Sequence, residues 1–432
     1  MSLITSKTNN NLQVVNQICA GIDIHRDTAN VTLLYQTDSG GCTEEYACFQ
    51  TDKASLVQMK KWLLGSGCFV VGIESTGKYW IPVLNVLEDA MKVILYNARN
   101  VKNIPGKKTD KSDSQWLATI TRFNLARGSF IPGKQIRDAR MLARNRTAMV
   151  QARTMMRQIV HGILQSAGIK ISSNVSDIFG KSGTNLLNLI IRDQPYNEAR
   201  IEKLIYGSLK NKRKQLVSAL EGDIRPMHRY SLDHVMSIMN TLTKQKENIE
   251  SELERLLIDS EDHRQTWERV QEIPGFSKLS ALLILAEVGF DLETFPNAAA
   301  FCSWAGVCPG NHESAGKKLR GKIQQKKNNV KTLLIEIAWV SVKMRETYYA
   351  AKFMSMRAKK GPQVAIFVIA HKLAKAVFHV IKNKEQYEEM GFDHVVEDHV
   401  SRSKRYVYKA IQQLGSQAVM EMIAEQEPSP TN

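Results

Sequence analysis

QICAGIDIHRDTANVTLLY, residues 17–35, is the stretch from which the architecture can be read. Its first eight residues read as a short apolar strand ending near Asp23, and ANVTLLY reads as the hairpin partner across a His-Arg-Asp-Thr turn. Asp23 lies between Ile22 and Ile24. Successive side chains on a strand point to opposite faces, so the carboxylate faces away from both isoleucines.

Working outward, EEYACF (44–49) is a third strand and Ser55 to Leu64 has helical spacing. Cys68 to Ile73 is a β-branched buried strand that ends at Glu74. WIPVLNVLEDA (80–90) is helical, KVILYN (92–97) is a strand, and Ser112 to Phe123 is a helix. The order is three antiparallel strands followed by two strands with helical crossovers. That is the strand programme of the ribonuclease H fold, a mixed sheet with helices on both faces.

The chain has 432 residues, enough for two or three domains with substantial cores. Its 43% hydrophobic and 24% charged residues are ordinary for a soluble protein. The excess of 59 basic over 43 acidic residues, a formal charge of +16, points to a polyanionic partner, most commonly nucleic acid. None of the six cysteines forms a C-x-x-C pair, so zinc-finger spacing is absent and buried reduced thiols are expected. The N-terminal segment is polar, without a signal-peptide core. Apolar stretches such as Gln363 to Ala370 are too short to cross a bilayer. A cytoplasmic, reducing location is therefore expected.

Four domains or segments are expected: residues 1–130 with the mixed sheet; 131–264 with a basic helix and a coiled-coil arm; 265–390, mainly helical; and 391–432, an extension with a disordered end. Ile136 to Gln165 is helical and rich in arginine. Residues 171–200 read as irregular, and 201–262 as strongly helical, with apolar residues at three- and four-residue steps. Two further helices are expected over Lys331 to Met344 and Gln363 to Ile381.

Three constellations carry chemistry. Asp23, Glu74, Asp110 and Asp113 stand at strand ends and at one helix start, with Asp110 and Asp113 on a single helical face. Such close carboxylates favour a hard cation bound through oxygen, and strand transfer on nucleic acid commonly uses two magnesium ions so held. Each acid also has a structural explanation: Asp110 as an N-cap with Asp113 at N3, and Asp23 and Glu74 as ordinary strand-end charges. Together and in this order they favour the metal. IPGFSKLSALLILAEVG (273–289) reads either as a helix-hairpin-helix phosphate clamp or as a core helical hairpin. NHESAGKK (311–318) places Ser314 beside small residues, followed by Lys317, Lys318, Arg320, Lys322, Lys326 and Lys327. No acid intervenes before Lys331. Ser314 is either a nucleophile towards phosphorus or a loop hydroxyl on a nucleic-acid-binding surface, and His312 either assists it or only hydrogen-bonds. Lys107, Lys108, Arg144, Arg146, Arg153 and Arg157 are further candidate contacts to nucleic acid. Tyr79, Trp80 and Trp304 either stack on bases or are buried, with burial the default.

The blocks GIDIHRDTANV, GIESTGKYWIPVLNVLE, NARNVKNIPGKKTDKSDSQWLA, IPGFSKLSALLILAEVG and SWAGVCPGNHESAGKK resemble, in this order, signature blocks of the IS110 family of bacterial insertion-sequence transposases, relatives of the Piv-type DNA invertases. The likeness spans residues 17–165 and 265–385; His312 departs from it, standing where an asparagine is frequent, and 171–215 and 390–432 lie outside it. The resemblance implies a RuvC-type DEDD nuclease domain, with its acids at Asp23, Glu74, Asp110 and Asp113. A coiled coil would join it to a C-terminal transposase domain with a catalytic serine at Ser314. It further implies double-stranded donor and target DNA, a structured non-coding guide RNA that pairs with both, and a homo-oligomer, a tetramer, with composite sites. The reaction so implied is magnesium-dependent strand exchange through a 5′-phosphoserine. The alternatives are a metal-dependent Holliday-junction resolvase using water, a metal-free resolvase-type serine recombinase, and a non-catalytic nucleic-acid-binding scaffold.

Overall fold

A computed structural model describes residues 13–36, 41–75, 77–97, 110–308, 312–314, 317–319 and 328–392, with short stretches at 408–409, 411–413 and 415–417. The side chains of 110–111, 312–314 and 317–319 lie outside that description. The chain divides into two compact units, Met1–Ile131 and Pro132–Asn432.

The first unit runs β1 (Cys19–Ile24), β2 (Thr28–Gln36), β3 (Cys42–Gln50), α1 (Lys53–Gly65), β4 (Val70–Glu74), α2 (Trp80–Leu87), β5 (Lys92–Tyr96) and α3 (Asp110–Phe123). The sheet order is β3-β2-β1-β4-β5. β1 pairs antiparallel with β2 and parallel with β4, which is the mixed sheet expected from the strand pattern. One face packs on α1 and α2 through Ile22, Val31, Leu56, Met59, Ile73 and Leu87, all fully buried. Asp52 starts α1 by accepting from the amides of Ala54 and Ser55, and the Ser55 hydroxyl, the largest influence, holds its carboxyl below the usual range.

The opposite face meets α3, and the meeting is close. A Cβ on Gly21 would overlap the backbone of Ser114 and Ala118 and stand 2.7 Å from the Leu117 carbonyl carbon. One on Gly72 would overlap the Thr121 hydroxyl and come within 2.6 Å of the Tyr96 ring. Glycine at both positions lets the helix rest on the strand backbones.

In the second unit, α4 (Lys134–Ser166) and α8 (Pro226–Leu257) pair along their lengths. They are antiparallel: Gln135 reaches the Leu256 carbonyl at 2.7 Å and Arg146 reaches Glu250 at 2.6 Å. Val160 and Leu164 share a core with Leu232 and Met236. Between them lie α5 (Lys181–Ile191), α6 (Glu198–Leu204) and α7 (Arg213–Leu220). Residues 171–200 are thus not irregular. Leu186, Leu187 and Ile190 form a buried helical stripe behind Gly180, where the small polar residues at the start of α5 resemble a loop. Residues 201–262 are strongly helical as expected, in several helices, with Pro226 opening α8 at its first turn and Ser260 capping the next, α9 (Glu261–Gln271).

The remainder comprises α10 (Lys278–Val288), α11 (Ala298–Ala305), β6 (His312–Ser314), β7 (Lys317–Leu319), α12 (Asn329–Ser341), α13 (Tyr348–Lys360) and α14 (Pro362–Asn383). α13 lies between the two helices expected there and was not legible, because its sequence YYAAKFMSMRAKK has no sharp apolar stripe. α14 corrects another expectation: with 22 residues and mean hydropathy 1.8, it is long and apolar enough to cross a membrane by length and composition. Ten of its residues are buried, and it packs against α11, α12 and α13. Nor are all the thiols buried. Cys19, Cys68 and Cys302 are, and burial pushes Cys19 and Cys302 up to about 12 and Cys68 up to about 11. Cys308 is half-buried, whereas Cys42 and Cys48 are exposed on β3, an edge strand whose α3-facing side is largely uncovered.

Replacing Gly21 by valine should destabilise the chain by about 3 kcal/mol or more, since the clash is with backbone that cannot move aside. Gly65→Ala, with nothing within 4 Å of the added carbon, should change stability by less than about 1 kcal/mol. Urea-unfolding midpoints of the two variants check the contrast.

Candidate active site

The direction of α3 across β1 can be followed contact by contact. The Arg122 guanidinium donates to the Gln17 carbonyl at 3.0 Å, the Cys19 thiol lies 3.6 Å from the Ala118 carbonyl, and Gly21 lies against Ser114. Each step is two residues along the strand, about 6.6 Å, and four along the helix, about 6 Å. One further step places Asp110, the first residue of α3, alongside Asp23.

Glu74 joins them through the sheet. Gly21 pairs with Gly72 and Ile22 with Ile73, so Asp23 and Glu74 are the next residues of adjacent parallel strands. Both follow a glycine facing α3 by two positions, so both carboxylates point to the α3 side. Asp113 is exposed in the first turn of α3, next to Ser114, whose hydroxyl bonds Thr32 at 2.7 Å. Asp23, Glu74 and the start of α3 therefore meet at one end of the sheet. Among the described residues no group of three or more His, Cys, Asp or Glu is gathered closely enough to hold a metal ion; the Asp110 side chain is not among them.

Two neighbours of Asp23 were not singled out from the sequence. His25 Nε2 stands 3.0 Å from Asp23 Oδ2. Asn30, directly opposite Asp23 on β2, is only 5% exposed and accepts a hydrogen bond from the Tyr46 hydroxyl at 2.9 Å. The available signal was an asparagine inside the apolar strand TANVTLLY.

In the second unit, Ser314 is the last residue of β6 and pairs with Lys317 of β7, while His312 pairs with Leu319. Lys318 is in β7; Lys107, Lys108, Arg320, Lys322, Lys326 and Lys327 lie outside the described residues. The arginines of α4 divide. Arg146 is bonded to Glu250, and Arg157 to Asp177 at 2.7 Å with its guanidinium over the Phe179 ring. Arg144 lies 3.9 Å from Glu287 but keeps 58% of its side chain exposed, and Arg153 is half-buried. Tyr79 is exposed, against the expectation of burial, whereas Trp80 and Trp304 are half-buried and Trp304 packs on Phe295 and Phe301. The hairpin at 273–289 is a core element: Ala281 to Val288 is buried throughout, and only the first turn of α10, capped reciprocally by Ser277 and Ser280, reaches solvent.

Comparison with known proteins places these elements. A family model described as "Transposase", for the DEDD domain of IS110 elements, matches residues 20–169. A second, described as "Transposase IS116/IS110/IS902 family", matches residues 267–354, and together they cover more than half of the chain. The chain belongs to the IS110 family of transposases. It is a DNA transposase or recombinase by that membership. The IS110-family chain is 23% identical over 328 residues to the transposase for insertion sequence element IS1111A of Coxiella burnetii, covering 74% of this chain and 79% of that one. Among solved structures, Thermus thermophilus RuvC aligns with 26% of this chain and 99% of its own, at 13% identity and a TM-score of 0.21. The same protein in complex with a Holliday junction substrate aligns with 25% of this chain and 94% of its own, at 11% identity and a TM-score of 0.20.

Among the described residues of the transposase-family region of the second unit, one acid is buried, Glu287 of α10. Its carboxylate accepts from the Asn329 amide at 2.8 Å and lies 3.6 Å from the Arg140 guanidinium, tying α10 to α4 and to the start of α12. Burial lowers the Arg140 pKa to about 10, an effect that Glu287 opposes. Glu287→Ala should destabilise the chain by about 3 kcal/mol, because it removes the charge that opposes the Arg140 guanidinium and the acceptor of the Asn329 amide. A thermal melt beside Glu336→Ala, on exposed α12 surface, checks this.

Proposed function

We propose that this transposase cuts and rejoins DNA strands at a site built from Asp23, Glu74, Asp110 and Asp113, with Ser314 as the nucleophile. The observation that carries the reading is the stepwise contact of α3 with β1, which brings the helix start to Asp23 and Glu74 at one sheet end. The donors are all carboxylate oxygens, a set that suits hard divalent cations such as magnesium and suits zinc poorly. Two magnesium ions held there would supply positive charge at the oxygens of the reacting phosphate.

The protein's own part is then as follows. The Ser314 oxygen bonds to phosphorus as the bond from phosphorus to the 3′ oxygen breaks; the hydroxyl proton leaves the serine and the departing 3′ oxygen gains one. The product is a 5′-phosphoserine and a free 3′-hydroxyl. The reverse attack by a different 3′-hydroxyl rejoins the strands without net hydrolysis. Ser314 of one subunit serves the carboxylates of another, within a homotetramer. Lys317, Lys318, Arg320, Lys322, Lys326, Lys327, Lys107 and Lys108, with Arg144 and Arg153, neutralise the nucleic-acid backbones, so affinity falls steeply with salt. Arg146 and Arg157 are bonded to acids within the fold at 2.6 and 2.7 Å, closer than Arg144 to Glu287 at 3.9 Å, and contribute less. A guide RNA that pairs with donor and target DNA would set the sites. Residues 1–130 act as the nuclease domain, 131–264 as the arm and 265–390 as the serine-bearing domain.

Ser314→Ala should abolish covalent protein–DNA adducts on denaturing gels while leaving DNA binding within about twofold. Adducts that persist in that variant would remove Ser314 from the reaction. With magnesium present, Asp110→Asn should lower strand cleavage by at least about 100-fold, and cleavage at the parent rate would remove the carboxylate site.

A further inference from the structure

The sheet beside the carboxylates carries a feature that strand cutting by acids and a serine does not account for. Tyr46 lies on the edge strand β3, opposite Thr32, which in turn pairs with Gly21. That row faces α3, so Tyr46 is on the same face as Asp23. Its side chain is 43% exposed. The hydroxyl is nonetheless fixed, donating at 2.9 Å to the side-chain oxygen of Asn30, which is 5% exposed. A polar amide buried in the central strand β2 thus holds an exposed ring in one place. Asn30 is also the residue paired with Asp23, so the tyrosine hydroxyl is held by the residue directly opposite Asp23 on the neighbouring strand.

Glu44, on the same face of β3, is drawn to α3 by Gln115 at 2.5 Å. Glu45 points to the other face, where it accepts from Tyr35 at 2.9 Å. Cys48, paired with Asn30, is exposed and small. From Asp23 to Tyr46 is two strand spacings across and two residues along the strand, roughly 12 Å. That distance is one to two nucleotide steps along an extended strand. An aromatic face held rigid at this distance suits a flat apolar ligand attached to a phosphate at the carboxylates.

We infer that Tyr46, anchored by Asn30, is a stacking subsite for an unpaired nucleobase one or two positions from the phosphate at Asp23. The inference rests on the proposed nuclease reading of the carboxylates and adds where the flanking base is held. A ring presenting one face takes a base only where pairing has opened, so the subsite favours strands already separated during exchange. Stacking on an aromatic ring tolerates any base. Tyr46 is therefore a positioning residue that holds the strand without choosing its sequence. Asn30 acts through it.

The test uses the full chain, without divalent metal, and single-stranded DNA and RNA oligonucleotides carrying 2-aminopurine at successive positions. The parent protein should quench the fluorophore at one or two adjacent positions, and Tyr46→Leu should abolish that quenching and weaken binding about 10-fold. Tyr46→Phe keeps the ring but loses the hydrogen bond to Asn30, and should lower the quenching without abolishing it. Asn30→Ala, which releases the ring, should reduce it. In cleavage assays with magnesium, Tyr46→Leu should raise KM about 10-fold with kcat within about threefold. Circular dichroism confirms that the exposed-site variants fold. Quenching and KM unchanged in Tyr46→Leu would overturn the subsite. Asp23→Asn keeps the two readings apart: it should remove cleavage but leave quenching in place. A parent protein that quenches but does not cleave refutes the nuclease reading alone, and one that binds neither oligonucleotide refutes both. Quenching with DNA only, or RNA only, identifies the strand that occupies the site.

Discussion

Everything in the first unit depends on how closely α3 approaches β1. A helix packed on a sheet normally stands about 10 Å away, held off by side chains. Here Gly21 and Gly72 remove those side chains at the centre of the contact, and the helix backbone settles on the strands. Close approach fixes the helix along its axis as well as in height, because Cys19, Gly21 and Thr32 each meet a particular α3 residue. The position of the helix start beside Asp23 follows from that fixed register. Were α3 held off by larger side chains, the same acids would be present without converging.

Convergence has an electrostatic cost. Carboxylates at one sheet end repel one another unless a cation or a donor intervenes. His25 stands against Asp23 at 3.0 Å, while Asp113 stays in solvent. The second unit handles its buried acid differently: Glu287 lies between Arg140 and Asn329, in contact with both, and helps to hold three helices together. The exposed acid on α3 and the enclosed one on α10 belong to different kinds of structure, the first open to a ligand and the second closed by the fold.

The basic character of the chain is likewise divided by the tertiary structure. Among the α4 arginines, Arg146 and Arg157 are bonded to acids at 2.6 and 2.7 Å, whereas Arg144 lies 3.9 Å from Glu287 and stays largely exposed, although all three follow the same helical pattern in the sequence. Charge counted along a helix overstates what a polyanion can reach, because a guanidinium on the side facing α8 pairs with Glu250 there. Likewise the stretch at 273–289, which could be read as a phosphate clamp or as a core hairpin, spends most of its length in the core, with Ser277 and Ser280 capping its one exposed turn.

Local patterning carried much of this protein. Alternation and β-branched runs identified five strands in the right order, with Asp23 at the end of β1 and Glu74 at the end of β4, since burial on both faces makes central strands continuously apolar. The α3 register and the Asn30–Tyr46 bond were not legible, because each depends on residues brought together across many positions of chain. The helices α5 and α13 escaped for a related reason: small or mixed residues give no clear period, and neighbouring surfaces supply the burial that makes them helical. The sequence alone determined which chemical groups the chain carries and on which elements they sit. Distances between those groups were decided by tertiary packing, above all by glycines whose missing side chains let a helix and a sheet meet.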